Sequence, residues 1–205
     1  MKRAQSLVVV LDLAGAAVAA QEGAGAAMAN RLDILGVLVI AFVAALGGGI
    51  ARDVLLGQAP PRALRDWRYP VVALVAGAAA FAFDRWVQAI PQGALITLDA
   101  AALGLLAVAG AEKSLDQGLS WLAAILVGGV TGVGGGVIRD ILLDKIPAVL
   151  TRDIYATAAL AGAAVMLIGR RLGLPNVWAA ILGAVFCFAL RMVAVGFGWQ
   201  LPKAG

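Results

Sequence analysis

The chain is organised around a seven-residue stretch that occurs twice. Residues 47–53 read Gly-Gly-Gly-Ile-Ala-Arg-Asp, and residues 134–140 read Gly-Gly-Gly-Val-Ile-Arg-Asp. Each copy follows an apolar run long enough to cross a membrane. Three glycines weaken a helix by about 1 kcal/mol each relative to alanine, and an arginine or aspartate near the bilayer centre costs about 2.5–3.5 kcal/mol. A chain that carries both features twice indicates a polar pathway inside a membrane helix bundle.

The composition is that of a polytopic membrane protein. The chain has 205 residues, of which 62% are hydrophobic and 14% charged, and its mean hydropathy is +0.95. A soluble domain carries roughly a quarter charged residues. The net charge of +4 indicates basic loops that face anionic lipid, and no nucleic-acid partner is expected.

Several kinds of functional site are excluded by the residue types that the sequence lacks. The chain has no histidine, and Cys187 is its single cysteine. Imidazole and cysteine-cluster metal sites, internal disulfides and histidine-dependent triads are therefore excluded. The apolar runs contain carboxylates and arginines but no paired nucleophile and base at a recognisable spacing. We expect neither an enzyme nor a bound cofactor.

The two copies belong to a longer duplication with a constant offset of 87 residues, which also pairs Asp12 with Asp99 and Pro60 with Pro147. Each repeat holds three apolar spans. Because an odd number of spans returns the chain to the opposite side of the membrane, the two repeats are expected to be inverted relative to each other. One more apolar span follows. The sequence thus predicts an all-α membrane protein of seven transmembrane helices, built as an inverted three-plus-three repeat plus one.

Capping residues, prolines and the ends of the apolar runs predict the boundaries. We predict one transmembrane domain over residues 1–205, with repeat one at about 6–90, repeat two at about 94–172 and the seventh helix at about 175–197. The predicted helices run from Ser6 to Met28, Asn30 to Gln58, Tyr69 to Ala89, Ala94 to Ala111, Leu119 to Leu143, Asp153 to Gly169 and Asn176 to Val195. Asn30 is the expected cap of the second helix, and a loop is expected after Pro60 and Pro61. Tyr69 is expected in the headgroup zone.

The glycine triplets have two interpretations. Close helix packing uses small residues four apart, as at Gly128, Gly132 and Gly136 in the fifth helix, but it does not need three in a row. Three in a row free backbone carbonyls and amides, which is tolerated at membrane depth only against protein or a water-filled cavity. We therefore predict that helices two and five are kinked at their triplets and that the kinks line a permeation path.

The arginine of each element needs a partner inside the membrane. Adjacent residues on a helix point about 100° apart, so Arg52 and Arg139 are not expected to neutralise the aspartate that follows each of them. Asp12 and Asp99, in the first and fourth helices, are the predicted partners, because an unpaired charge there would be expensive. Two roles stay open: the pairs pin helices together, or they also face an aqueous path and set its charge.

Other charged residues lie outside the two glycine-arginine-aspartate elements. Glu22 is a functional candidate as an isolated carboxylate, or it marks an earlier end of the first helix; its counterpart Ala109 is uncharged. Glu112 and Lys113 are expected at the interface after the fourth helix, and Arg191 is expected to snorkel. The residues predicted to line the pathway are Gly47, Gly48, Gly49, Arg52, Asp53, Gly134, Gly135, Gly136, Arg139, Asp140, Asp12 and Asp99.

These motifs resemble a known family. The two glycine-arginine-aspartate elements, the Leu-Asp pairs at 11–12 and 98–99, the Gly-Ala-Glu-Lys run at 110–113 and the helix count resemble the prokaryotic members of the trimeric intracellular cation channel (TRIC) family and their glycine-triplet bacterial relatives. The resemblance spans Leu7 to Val195. It implies a homotrimer in the inner (plasma) membrane, with lipids as neighbours. Each protomer would hold its own pore, bounded by kinked helices two and five and conducting potassium and sodium ions.

Two departures and one conflict accompany the resemblance. The Lys-Glu-Val element of the animal members is absent, and the first glycine triplet stands in its place, so the lipid regulation described for animal channels is not carried over. Glu22 stands where a small or hydroxyl residue is expected. The family's N-terminus lies outside the cytoplasm, whereas a small excess of basic loop residues on that side favours the opposite orientation.

Two functions from different classes fit the sequence. The first is a passive channel for monovalent cations, in which freed carbonyls and carboxylates replace part of an ion's water shell. The second is a secondary transporter of a small amino acid such as glycine, because inverted repeats with broken helices are also the layout of such transporters. Some bacterial relatives that look like this chain are described as glycine uptake proteins. Unitary currents favour the first function, and saturable uptake coupled to an ion gradient favours the second.

Overall fold

The computed structural model of the protein describes residues 2–83, 91–151 and 154–199. This part of the chain forms seven longer helices, α1 (Lys2–Ala29), α2 (Ile34–Leu55), α4 (Arg68–Ala82), α5 (Gln92–Asp116), α6 (Trp121–Leu142), α8 (Ala156–Arg171) and α9 (Asn176–Gly196), and two short ones, α3 (Arg62–Arg65) and α7 (Ala148–Thr151). Among the described residues, four helices are long and apolar enough to cross a membrane: α2, α5, α6 and α9. The protein is therefore an all-α membrane protein. The seven crossings and the inverted order stay predictions.

Helix ends differ from the prediction where capping side chains were assigned wrongly. The cap of α2 is Asp33 rather than Asn30, because the Asp33 carboxylate accepts a hydrogen bond from the Gly36 amide at 2.8 Å. Ser120, 87 residues further on, caps α6 in the same way. The Asn30 side chain instead donates to the carbonyl oxygen of Ala26 at 2.6 Å and closes the end of α1.

Two connections also differ from the prediction. The segment after Pro60 and Pro61 was predicted as a loop but contains α3, and α7 occupies the corresponding place in the second repeat. Helix α5 continues to Asp116, past the predicted end at Ala111. The predicted third helix ends at a residue, 89, that lies outside the described residues, and so does residue 153, where the sixth was predicted to begin.

Helices α2 and α6 cross at their glycine triplets, and both keep a helical backbone through the crossing. The predicted kinks are not confirmed. A Cβ atom on Gly134 would lie 3.1 Å from the Cα of Gly48. A Cβ atom on Gly48 would overlap the carbonyl oxygen of Thr131, and one on Gly135 would overlap that of Ala44. The two helices therefore meet backbone to backbone, which is the packing interpretation of the triplets.

The other helices pack around this crossing. Helix α1 lies against α2, α4 and α5, while α9 lies against α5 and α8. Alanines supply much of the buried surface, including Ala24, Ala41 and Ala73 on one side of the crossing and Ala107 and Ala159 on the other. Because these side chains are small, the helix axes approach closely, and the polar groups of several helices are brought within contact distance of one another.

Candidate functional site

A buried network of four charged side chains lies at the end of α2; we call Asp12, Arg52, Asp53 and Lys113 the α2 network. Arg52 Nη1 lies 3.2 Å from Asp12 Oδ1 on α1. Asp53 Oδ1 lies 2.9 Å from Arg52 Nε and 2.7 Å from Lys113 Nζ on α5. All four residues are buried. The predicted pair of Asp12 with Arg52 is confirmed, and Lys113 is a partner that the sequence did not reveal.

The prediction that each arginine leaves its neighbouring aspartate unpaired is wrong. Arg52 contacts Asp53 as described, and Arg139 Nη2 lies 2.8 Å from Asp140 Oδ1. The Cα–Cβ bonds of adjacent helix residues diverge. However, the arginine stem is long and its planar guanidinium presents donors along its side. At the end of a helix the guanidinium can therefore fold back to the next residue.

The second carboxylate oxygen of each aspartate fixes the short helix that follows. Asp53 Oδ2 accepts from the Arg62 amide at 2.8 Å, and Asp140 Oδ2 accepts from the Ala148 amide at 2.9 Å. These amides open α3 and α7, and the first amides of a helix have no partner within it. Each arginine-aspartate element thus ends a long helix and positions the next one.

Two tyrosines complete the polar sites at equivalent places in the two repeats. Tyr69 donates its hydroxyl to Asp12 Oδ2 at 3.3 Å, and Tyr155 donates to Asp99 Oδ1 at 2.7 Å. Both tyrosines are buried inside the bundle, and the headgroup position of Tyr69 stays a prediction. The two lie 86 rather than 87 residues apart. Allowing a one-residue gap in the repeat alignment would have revealed the pair.

A second network lies at the end of α6; we call Glu22, Arg139 and Asp140 the α6 network. Besides Asp140, Arg139 faces Glu22 of α1, with 3.7 Å between Nη1 and Oε2. Helix α1 continues to Ala29, so the interpretation that Glu22 ends the helix is wrong. The predicted pair of Asp99 with Arg139 stays a prediction, although both residues line the cavity described below.

Each repeat contributes one charged side chain to the network of the other repeat. Lys113 comes from repeat two and binds the aspartate of repeat one, whereas Glu22 comes from repeat one and faces the arginine of repeat two. Their counterparts 87 residues away are the alanines Ala26 and Ala109. Lys113 is buried because α5 continues past it, so its predicted interfacial position is wrong.

Two further charged residues lie inside the bundle rather than at its surface. Glu112 is buried, and its Oε2 lies 3.0 Å from Arg170 Nη1. Arg191 is also buried; it donates to the carbonyl oxygen of Ile154 at 3.1 Å and lies over the ring of Tyr155, 5.2 Å from the ring centre. The predicted interfacial Glu112 and snorkelling Arg191 are both wrong. Arg191 instead helps to hold Tyr155 against Asp99.

A wide cavity of about 880 Å³ opens at the end of the bundle where α1 finishes and α5 begins. Its lining includes Glu22, Asp99 and Arg139, and exposed Arg31 and Lys145 lie at its mouth. The same three inner residues also line a narrow cavity of about 20 Å³ that reaches the glycine crossing. We call Glu22, Asp99 and Arg139 the neck, because they form the boundary between the two spaces.

A third cavity, also of about 20 Å³, continues beyond the crossing to Asp12, Arg52 and Tyr69. It shares Ala45, Gly49 and Leu106 with the second cavity. The three spaces are thus neighbours inside a single protomer, and together they reach from the wide cavity to the Asp12 and Arg52 side of the α2 network. A volume near 20 Å³ holds about one water molecule. The route is thus too narrow for a hydrated ion in this structure.

Most of the predicted pathway residues lie along this series of cavities. Those that line at least one of the three spaces are Asp12, Gly48, Gly49, Arg52, Asp99, Gly135, Gly136, Arg139 and Asp140. Gly47 and Gly134 lie within the helix crossing, and Asp53 lies in the α2 network behind the third cavity. The third glycine of each triplet differs from the second. A Cβ atom on Gly49 or Gly136 would meet only the tip of an arginine, at 3.7 or 3.9 Å.

Comparison with known proteins gives one family and several close relatives. A family model described as glycine transporter matches the chain twice, over residues 9–85 and 96–171. The chain is 44% identical to a UPF0126 membrane protein of Streptomyces coelicolor, covering 96% of this chain and 90% of the relative. It is 36% identical to the inner membrane protein YadS of Escherichia coli, covering 96% and 95%.

Two solved structures are similar over nearly the whole chain. One, described as a basis for conductance through TRIC cation channels, has a TM-score of 0.89 and 38% identity and covers 96% of each chain. The other is a TRIC trimeric intracellular cation channel orthologue from Rhodobacter sphaeroides, with a TM-score of 0.88, 34% identity and coverage of 95% of this chain and 100% of that one. Both are named as channels, in agreement with the expectation that this chain is not an enzyme.

Proposed function

We propose that this chain, which belongs to the membrane protein family described as glycine transporter, is an inner-membrane channel for monovalent cations, potassium and sodium, with one pore in each protomer of a homotrimer. The observation that carries the proposal is the series of three neighbouring cavities, which share lining residues at the glycine crossing and border both charged networks. The two similar structures named as TRIC channels support the same function.

The charges along the route suit cations. Asp12, Asp99, Asp140 and Glu22 place carboxylates on it, and hydrogen bonds and ion pairs hold them in position. Arginine alone at these depths would repel a cation. Because each arginine is paired with carboxylates, its charge is offset and the route keeps acceptor oxygens for an ion that has lost part of its water shell.

Conduction requires the two narrow cavities to widen at the glycine crossing. We propose that α2 and α6 bend at their triplets during opening, because each glycine weakens a helix by about 1 kcal/mol relative to alanine. An inverted arrangement of the repeats is supported by α1. Asp12 near its start meets the end of α2, and Glu22, about 15 Å further along at 1.5 Å per residue, meets the end of α6.

In planar bilayers, the purified protein is expected to give unitary potassium currents, and the Arg139→Ala variant is expected to change them. Removing the guanidinium from the neck leaves carboxylates facing the route. The current at low salt should therefore rise by about twofold or more, within the effect of charged clefts on local ion concentration. Arg139→Lys, which keeps the positive charge, is the matched control. Protein that gives no unitary current in either form would contradict the channel.

The proposed homotrimer predicts the size of the purified protein. In mild detergent, light scattering coupled to gel filtration should give a protein mass of three times 20.8 kDa. The measurement separates the mass of the protein from that of bound detergent. A protein mass of one chain would contradict the homotrimer, but it would not contradict a channel inside each protomer.

A secondary transporter of a small amino acid such as glycine is the second candidate. The family description favours it, and so does the neck, where the guanidinium of Arg139 and the carboxylates of Glu22 and Asp99 line the same space. Such a pair of charges matches the two ends of a zwitterion. Labelled glycine uptake, measured on the same liposomes as potassium flux, separates the two functions. Saturable uptake that depends on an ion gradient, with no unitary current, would support the transporter.

A further inference from the structure

The two ends of the route differ in charge although they arise from one duplicated sequence. In the α2 network two carboxylates face two cations, so the formal charges cancel. The neck holds the carboxylates of Glu22 and Asp99 and the guanidinium of Arg139, a formal charge of −1. Asp140, Arg31 and Lys145 also line the wide cavity. Arg31 and Lys145 are exposed, so water and salt screen their charges more strongly than those of the neck.

Glu22 is a main source of this difference. Its counterpart in the other repeat is Ala109, so the α2 network has no equivalent carboxylate. Its distance to Arg139, 3.7 Å, is longer than the 2.8 Å between Arg139 and Asp140. The Glu22 side chain is 15% exposed, compared with 1% for Asp53. The Glu22 carboxylate is thus paired with Arg139 and at the same time borders both the wide and the narrow cavity.

Building on the proposed channel, we propose that Glu22 is a specificity-determining residue that makes the wide-cavity end of the route attract cations. An excess of one sign of charge in a protein-walled cleft raises the local concentration of the opposite ion. The α2 network itself has no such excess, because its two carboxylates and two cations cancel. Cation current from the wide-cavity side should therefore exceed current in the opposite direction when salt is low.

The test compares wild-type protein with Glu22→Gln, which removes the charge and keeps the shape. At about 0.1 M potassium chloride, where the Debye length is ~10 Å, the variant should carry about half the wild-type current from the wide-cavity side and lose most of the rectification. At about 1 M, where the Debye length is ~3 Å, the two proteins should conduct alike. Glu22→Asp, which keeps the charge, should retain the wild-type rectification at both concentrations.

A second measurement avoids dependence on one variant. The natural Cys187 is buried and is the single cysteine of the chain, so an introduced thiol at the cavity is the accessible one. Gln21→Cys places it in the lining of the wide cavity with Glu22 intact. A positively charged thiol reagent added from that side should lower the low-salt current about twofold, because the attached charge lowers the cation concentration in the cavity. A negatively charged reagent should raise the current for the opposite reason.

The outcomes separate the inference from the function on which it rests. A wild-type protein without unitary current overturns the proposed channel. If the wild type conducts and Glu22→Gln lowers the current equally at both salt concentrations, Glu22 is structural and the inference is overturned. The same conclusion holds if the rectification is unchanged. A loss confined to low salt, together with opposite effects of the two thiol reagents, supports the inference.

Discussion

Replacing Gly135 by alanine is expected to destabilise the folded protein by about 3 kcal/mol, the upper end of the usual range for an overpacked site. The new Cβ atom would overlap the carbonyl oxygen of Ala44 on α2, and a backbone atom cannot move aside as a side chain can. The general preference of helices for alanine, about 1 kcal/mol, offsets only part of this cost. Gly48→Ala should have a similar effect, because its Cβ atom would overlap the carbonyl oxygen of Thr131.

Gly136→Ala is the matched control, since it makes the same chemical change one residue along the same helix. Its Cβ atom would lie 3.9 Å from the tip of Arg139, so the substitution should be neutral or stabilising by up to about 1 kcal/mol. Thermal unfolding in detergent, followed by the loss of the folded gel-filtration peak, compares the variants. Equal midpoints for Gly135→Ala and Gly136→Ala would show that the crossing is looser than described.

Asp53→Asn is expected to destabilise the protein by about 3–5 kcal/mol, the cost of removing one partner from a buried ion pair. Asp53 accepts hydrogen bonds from Arg52, Lys113 and the Arg62 amide, so its loss leaves two buried cations with one carboxylate between them. The expected readout is a large fall in the thermal midpoint, measured in the same way as for the glycine variants.

A double variant tests this explanation. Asp53→Asn combined with Lys113→Met removes one charge of each sign from the α2 network, and it should recover part of the lost stability. Asp140→Asn is the matched control in the other repeat. It leaves a single arginine at a partly exposed site, so its effect should be smaller. A double variant less stable than Asp53→Asn by the full cost of Lys113→Met would argue against the charge explanation.

The sequence was sufficient for the membrane class and for the approximate positions of the described helices, because these depend on composition and spacing. The pair of Asp12 with Arg52 could be predicted too, since a buried charge needs a partner and the repeat offered one at the right depth. The helical conformation of the backbone at the glycine triplets could not be predicted. Glycine weakens an isolated helix, yet it also lets two helices touch, and the contact between α2 and α6 keeps both helical.

The sequence did not predict the contacts of Lys113, Glu22 and Tyr155, and one physical reason explains all three. Lys113 and Glu22 bind across the repeats, so the internal symmetry that identified Asp12 predicts nothing for them. Lys113 looked interfacial because apolar residues end near it, but α5 continues to Asp116. Tyr155 was hidden by a one-residue change of offset. In each case the missing information was which helices are neighbours, and a single sequence does not contain it.

The crossed charges between the repeats have a consequence for the history and engineering of the molecule. An ancestral single repeat that paired with itself would have had identical halves. Here, each half depends on the other for the counter-ion of a residue inside the membrane. Separately expressed halves would each retain a charge without its mate, and two copies of either half could not replace the missing one. Each half is thus complete only beside the other, whether the two are joined in one chain or supplied as two different chains.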